Sequence, residues 1–301
     1  MISSQTTAQE DKTPPDEAAP GEELRFIDIE YVENGHPQQK LDLYLPHSGN
    51  GPWPVIVWIH GGGWFMGSKD NCLPLEMGFL DEGFAIASID YQLTGVAPFP
   101  AQIQDVKAAV RWLRKAAADY SLDPDRFIAW GDSAGGHLAA LLGTSAGEKS
   151  FSVGANLDQS ESVAAVCDFY GPTEFISFVQ TPGYESHAAP NSPESRLMGA
   201  PVLDRPDLAN KLSPLTYIDP SDPPFLIIHG SKDTVVPVNQ SEQLASQLNR
   251  AGVPVLFEIL EEAKHGGPAF SSDVIKQSVL GFINTSLYGG PPHSNLEADN
   301  Q

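Results

Sequence analysis

Residues 127–136 read Phe127-Ile128-Ala129-Trp130-Gly131-Asp132-Ser133-Ala134-Gly135-Gly136, and the fold turns on this stretch. Four apolar residues in a row, with no polar alternation, fit a strand covered on both faces. Gly131-x-Ser133-x-Gly135 follows at once, and Ser133–Gly143 then reads as a helix. A chain that passes from strand to helix through so tight a turn needs small residues on either side of its apex. The turn lifts the Ser133 hydroxyl out of the sheet. It also sets that hydroxyl at a helix N-terminus, where the dipole favours developing negative charge.

Outward from this stretch the same rhythm repeats. Unbroken apolar runs at Val55–Ile59, Phe84–Ile89, Val163–Phe169, Phe225–Ile228 and Val255–Leu260 are further candidate strands. Leu24–Tyr31 and Lys40–Leu45 alternate instead and flank Asn34-Gly35, which predicts an antiparallel pair. In Ala101–Ala118 the residues Ile103, Val106, Val110 and Leu113 form one apolar stripe at helical spacing. Gln240–Arg250 and Asp273–Leu287 are the other long helix candidates. Strand and helix in alternation predict a doubly wound α/β domain with a mostly parallel sheet of about eight strands.

Domain boundaries follow from composition. Residues 1–23 are rich in Pro, Glu and Ala and read as a flexible leader; 24–288 form the α/β domain; 289–301 read as a disordered tail. The leader shows no basic region followed by an apolar one, so no secretory signal is legible. As written the chain reads as cytoplasmic, with secretion or a periplasmic location left open. Gly171–Pro224 breaks the rhythm with ten prolines and only two short helical patterns, Pro193–Gly199 and Pro206–Leu212. So long an insertion predicts a short cap or specificity segment; a surface excursion without a role is the alternative.

Seventeen Lys and Arg stand against 39 Asp and Glu, a net charge of −22 that repels phosphate backbones and argues against nucleic acid as a partner. No apolar run approaches the roughly 18 residues of a membrane span. Cys72 and Cys167 are too few for a disulfide framework, and Cys167 sits in an apolar run as a small buried residue. Nothing has metal-ligand spacing, and the glycine runs match neither dinucleotide nor nucleoside triphosphate loops, so neither a metal nor a cofactor is expected. Oligomeric state is not legible.

The candidate chemistry is nucleophilic. Three glycines in His60-Gly61-Gly62-Gly63-Trp64 make sense where backbone N–H groups must approach a ligand; Gly62, Gly63 and the amide of Ala134 are the expected oxyanion donors. A serine needs a base, and the base needs an acid to orient it. Of eight histidines, His265 in Ala263-Lys264-His265-Gly266-Gly267 follows the last candidate strand and is the expected base. His60, His137 and His229 read as structural. Asp233, in Gly230-Ser231-Lys232-Asp233, is the expected acid, with Asp168 at the end of Val163–Phe169 as the alternative; Asp132 is expected to face away from the pocket. Trp64, Phe175, Phe178 and Tyr184 are the candidate pocket walls.

The order Ser133, Asp233, His265 is that of the α/β-hydrolase fold. With the HGGGW segment, the GDSAGG turn, HGSKDTVVP and KHGG all in sequence, the chain resembles the hormone-sensitive-lipase-like esterases, and more narrowly the bifunctional acetylxylan/feruloyl esterase-like group. Asp90-Tyr91-Gln92-Leu93, Phe99–Gln102, Asp168–Pro172 and Ser213–Tyr217 support the narrower likeness, which covers roughly 24–288. It implies a cofactor-free carboxylesterase that forms an acyl-enzyme on Ser133. The implied substrates are short acyl or aryl esters, free or linked to polysaccharide. Many relatives carry Arg where this chain has Gln92. Amide or peptide hydrolysis on the same fold is the alternative reading, and a non-catalytic binding protein a more distant one.

Overall fold

The computed structural model describes residues 24–289; the leader read over 1–23, and the tail read over 289–301 apart from Gly289, lie outside the described residues. The six unbroken apolar runs become β3 (Trp53–Ile59), β4 (Ala85–Ile89), β5 (Leu122–Asp132), β6 (Ala165–Phe169), β7 (Phe225–Gly230) and β8 (Val255–Leu260), all parallel to one another. The alternating segments become β1 (Arg25–Glu30) and β2 (Lys40–Tyr44), which pair antiparallel, and β2 pairs antiparallel with β4. The sheet order is β1-β2-β4-β3-β5-β6-β7-β8. This is the eight-stranded, mostly parallel sheet of the α/β-hydrolase fold.

Apolar residues on both faces of β3 to β6 need cover on both sides, and the helices supply it. One layer contains α2 (Ala101–Lys115), α3 (Ala134–Thr144) and α7 (Asn239–Ala251); the other contains α1 (Leu73–Glu76) and α8 (Asp273–Tyr288). β8 departs from the expectation of a doubly covered strand. It is the last strand of the sheet, and Leu256 and Ile259 are 42% and 40% exposed. An apolar run alone does not say how many faces are covered.

The insertion folds down onto the core instead of standing off it. It contains α4 (Phe175–Gln180), α5 (Pro193–Met198) and α6 (Pro206–Leu212), of which α4 has no counterpart in the sequence reading. The Glu174 carboxylate caps α4 by accepting the N–H groups of Ile176 and Ser177 at 3.1 and 2.6 Å. Phe175, Val179, Leu197, Val202, Ala209 and Leu212 all enter the core beside α2, α3 and α7. Cys72 and Cys167 are buried and unbonded.

Sheet order places the site. The chain runs from β3 outward to β4, then returns to lay β5 on the other side of β3, and such a reversal opens a crevice at the carboxyl ends of the strands. Ile59 at the end of β3 is in register with Gly131 near the end of β5. The glycine-rich loop and the Ser133 turn therefore leave the sheet side by side.

Candidate active site

The Ser133 turn is held by close backbone packing. Ser133 has φ 52° and ψ −117°, a conformation rare for any residue with a side chain. Its N–H donates to Phe169 O at 2.8 Å, and its carbonyl accepts the His137 N–H at 3.0 Å. A Cβ on Gly135 would lie 1.9 Å from Ile59 O, and one on Gly131 would lie 2.3 Å from Gly135 O. Only glycine lets α3 start this close to β3.

Around the serine hydroxyl a chain of hydrogen bonds is complete. His265 Nε2 lies 2.9 Å from Ser133 Oγ, and His265 Nδ1 lies 2.6 Å from Asp233 Oδ2. The loop carrying His265 crosses the end of β7, where a Cβ on Gly230 would meet Ala263 O at 2.4 Å. The Tyr170 ring packs edge-on against the imidazole at 4.7 Å. Asp233 Oδ1 accepts the N–H groups of Val235 and Val236 at 2.7 and 2.9 Å, and His229 Nε2 approaches Oδ2 at 3.2 Å. Burial pushes the Asp233 carboxyl up, but hydrogen bonds from His229 and His265 outweigh it and hold the group well below the usual carboxylate range. An alcohol bonded to an imidazole whose far nitrogen is tied to a carboxylate is arranged for general-base attack. Asp168 stands apart: its Oδ1 accepts the Gly171 N–H at 2.9 Å, and burial raises its carboxyl to about 6.

Ser133 opens into a cavity of about 330 Å³ whose lining includes Gly62, Gly63, Trp64, Asp132, Ala134 and His265. Among the described residues no protein acceptor pairs with the amide N–H of Gly62, Gly63 or Ala134. Gly62 has φ 112°, and a Cβ there would meet Met66 O at 2.1 Å. Asp132 corrects an expectation: it lines the cavity rather than facing away from it. Its Oδ1 accepts the Gly61 N–H at 2.8 Å and its Oδ2 the Tyr170 hydroxyl at 3.3 Å, which ties the glycine loop to the serine turn.

Three of the four expected wall residues are also corrected. Phe175 and Phe178 are fully buried and line no part of the cavity, because the insertion packs them inward. Tyr184 turns its hydroxyl to the Asp233 carbonyl. Trp64 does reach the cavity, although its indole is only 2% exposed and donates Nε1–H to His137 Nδ1 at 3.1 Å. The insertion contributes Pro172, His187, Pro193 and Glu194 to the walls instead, and Phe65, Met66 and Val235 complete the apolar side.

The remaining histidines hold the frame. His137 Nε2 donates to Leu212 O at 2.9 Å, so one ring links α3, the glycine loop and the insertion; burial lowers it to about 4. His60 stacks on Tyr91 at 4.4 Å, with Nδ1 2.7 Å from Gly61 O, and burial lowers it to about 4 as well. His229 bonds Ser241 Oγ and Val236 O. Gln92 donates to Asp105 at 3.1 Å. Sequence reasoning missed Tyr170, His187 and Glu194; no local motif marks them. Among the described residues no group of three or more His, Cys, Asp or Glu is placed to hold a metal ion, and no helix is long and apolar enough to cross a membrane.

The chain is similar to known esterases in sequence and in structure. The BD-FAE family model matches residues 41–248. Esterase LipQ of Mycobacterium tuberculosis is 31% identical over 90% of this chain and 65% of its own length. The chain spans about 40–65% of the length of the mycobacterial relatives it matches. Among solved structures, a truncated form of carbohydrate esterase from gut microbiota is 30% identical with a TM-score of 0.79, covering 89% of this chain and 98% of that one. A bifunctional GH43-CE from Bacteroides eggerthii is 34% identical with a TM-score of 0.81, covering 90% of this chain and 36% of that one.

Proposed function

Because the chain belongs to the BD-FAE family, we propose that it is a carboxylic ester hydrolase working through an acyl-enzyme on Ser133. The observation that carries the reading is the unbroken chain from Ser133 Oγ to His265 to Asp233 at 2.9 and 2.6 Å, opening into a cavity. As Oγ attacks the ester carbonyl, His265 Nε2 takes its proton, and Asp233 stabilises the imidazolium and keeps Nδ1–H pointed at itself. The tetrahedral oxyanion receives the amide N–H groups of Gly62, Gly63 and Ala134, each worth about 3–4 kcal/mol in such sites. Collapse expels the alcohol, which leaves with the proton from His265. Water then repeats the sequence and frees the acid. Each of these steps uses the chain's own groups and water.

The substrates we propose are short acyl or aryl esters, with acetyl and feruloyl esters of polysaccharide as the natural class. The carbohydrate esterase among the similar structures supports that class. A cavity of about 330 Å³ at the lower end of ligand pockets, with fixed walls, suits small acyl groups. Two measurements test the proposal together. A sulfonyl fluoride or organophosphate should label the protein once, at Ser133, and Ser133→Ala should lower kcat by at least about 10³-fold with the fold intact. Across p-nitrophenyl esters, kcat/KM should peak between acetyl and butyryl. Labelling elsewhere would end the assignment of Ser133, and an optimum at ten carbons or more would make the enzyme a lipase.

A further inference from the structure

A second imidazole stands on the wall of the same cavity. His187 is 17% exposed through its side chain, and its Nδ1 lies 2.9 Å from Glu194 Oε1. Both residues line the cavity with Ser133. The ring is fixed from behind by the buried Phe178 at 4.6 Å, and Ser192 Oγ, on the turn before α5, donates to the His187 carbonyl at 2.7 Å. Glu194 is only 3% exposed, and among the described residues its Oε2 has no hydrogen-bond partner.

A carboxylate buried this deeply costs stability, and a single bond to an imidazole is a poor structural return for it. What the bond does accomplish is to fix the ring. Accepting Nδ1–H holds neutral His187 in the tautomer whose Nε2 carries a lone pair. Among the described residues Nε2 has no protein partner. The pairing repeats the relation of Asp233 to His265, without a serine in front of it.

We propose that His187 Nε2, kept as an acceptor by Glu194, binds a free hydroxyl of the ester substrate and so selects hydroxylated esters. The inference rests on the ester hydrolase reading. The hydroxyl can belong to the alcohol part, as in a sugar, or to the acyl part, as in a phenolic acid. The shared chemistry is one O–H donor that reaches the part of the cavity wall formed by His187 and Glu194. Glu194 is then a positioning residue that acts through His187.

The test compares two pairs of esters: a methyl xyloside monoacetate with its O-methylated twin, and methyl ferulate with methyl 3,4-dimethoxycinnamate. In at least one pair the wild type should favour the hydroxylated ester by about tenfold or more in kcat/KM, chiefly through KM. The responsive pair identifies which part carries the hydroxyl. His187→Phe keeps the contact with Phe178 and removes the acceptor, so the ratio should fall to within about threefold of one. Glu194→Gln should shift the same ratio in the same direction by less. A wild-type ratio near one in both pairs, or a ratio unchanged in His187→Phe, overturns the proposal; the wild-type ratio needs no variant to fold. If p-nitrophenyl acetate is turned over while both ratios are one, only this proposal fails. If the wild type hydrolyses no ester, the ester hydrolase reading fails and takes this one with it.

Discussion

Asp233→Asn is the sharpest test of the proposed mechanism, because every acceptor position of this carboxylate is in use. Oδ1 receives two backbone N–H groups, from Val235 and Val236, and Oδ2 faces His265 and His229. An asparagine has one oxygen to offer. It must stay with the two amides, so the NH₂ group is turned toward two imidazole N–H groups. His265 then loses its partner, or it moves its proton to Nε2, where it faces Ser133 Oγ as a donor and cannot act as a base. The expected loss is about 10²–10⁴ in kcat, or roughly 3–5 kcal/mol of transition-state stabilisation. Steady-state kinetics on p-nitrophenyl acetate should show that fall with KM within a few-fold, and labelling by an organophosphate should slow in parallel. Circular dichroism checks that the variant is folded. Asp168→Asn is the companion: its Gly171 contact survives the change, and kcat should stay within a few-fold of wild type. A folded Asp233→Asn enzyme with kcat within tenfold of wild type would refute the reasoning, and reversed costs in the two variants would make Asp168 the acid.

Two further outcomes concern the frame. Gly135→Ala puts a methyl 1.9 Å from a β3 carbonyl in the middle of the sheet, so the variant should be insoluble or lose more than about 4 kcal/mol in urea unfolding. Gly147→Ala, with open space at its Cβ, should stay within about 0.5 kcal/mol of wild type. Buried histidines and buried carboxyls pull in opposite directions in mild acid. His60 and His137 are each lowered by burial to about 4 from 6.5, so the unfolded chain takes up their protons first and their contribution, complete above pH 6.5, is lost as pH falls toward 4. Asp168, raised by burial to about 6, works the other way: it favours the folded state as pH falls from 6 to 3.8. Asp222, raised by burial to about 7, works in the same direction as Asp168, so the acids offset the histidines and the clean readout is the rings themselves: NMR of the folded protein should show His60 and His137 neutral at pH 5.5. Either ring found protonated at pH 5.5 in the folded protein would contradict its buried neutral state.

Much of the fold was legible because its signals are local. The Ser133 turn announces itself in five residues, since packing against Ile59 O admits only glycine at 135. The strand–helix rhythm gave the sheet, and chain order pointed to His265 and Asp233, which the structure brings together with Ser133. Other features depend on tertiary packing. Phe175 and Phe178 read as pocket walls because apolar residues in a proline-rich loop lack an evident partner, yet the loop packs into the core and takes them with it. β8 read as a covered strand, but its place at the edge of the sheet leaves it half open. Asp132 read as a bystander because its partners, Gly61 and Tyr170, lie 71 and 38 residues away in sequence.

The anchoring of the insertion has a consequence for how such an enzyme can change. Pro193 and Glu194 stand on the cavity wall, but the helix that carries them is rooted by Leu197 and Met198 in the hydrophobic interior. His137 ties the far end of the same segment, at Leu212, to the glycine loop. A wall built this way has no hinge to retune. A new substrate range must be reached by reshaping the interior, and each step toward it draws on the stability that keeps the chain folded. Variants selected for bulkier esters should therefore carry compensating changes far from the cavity, among the residues beneath α5 and α6.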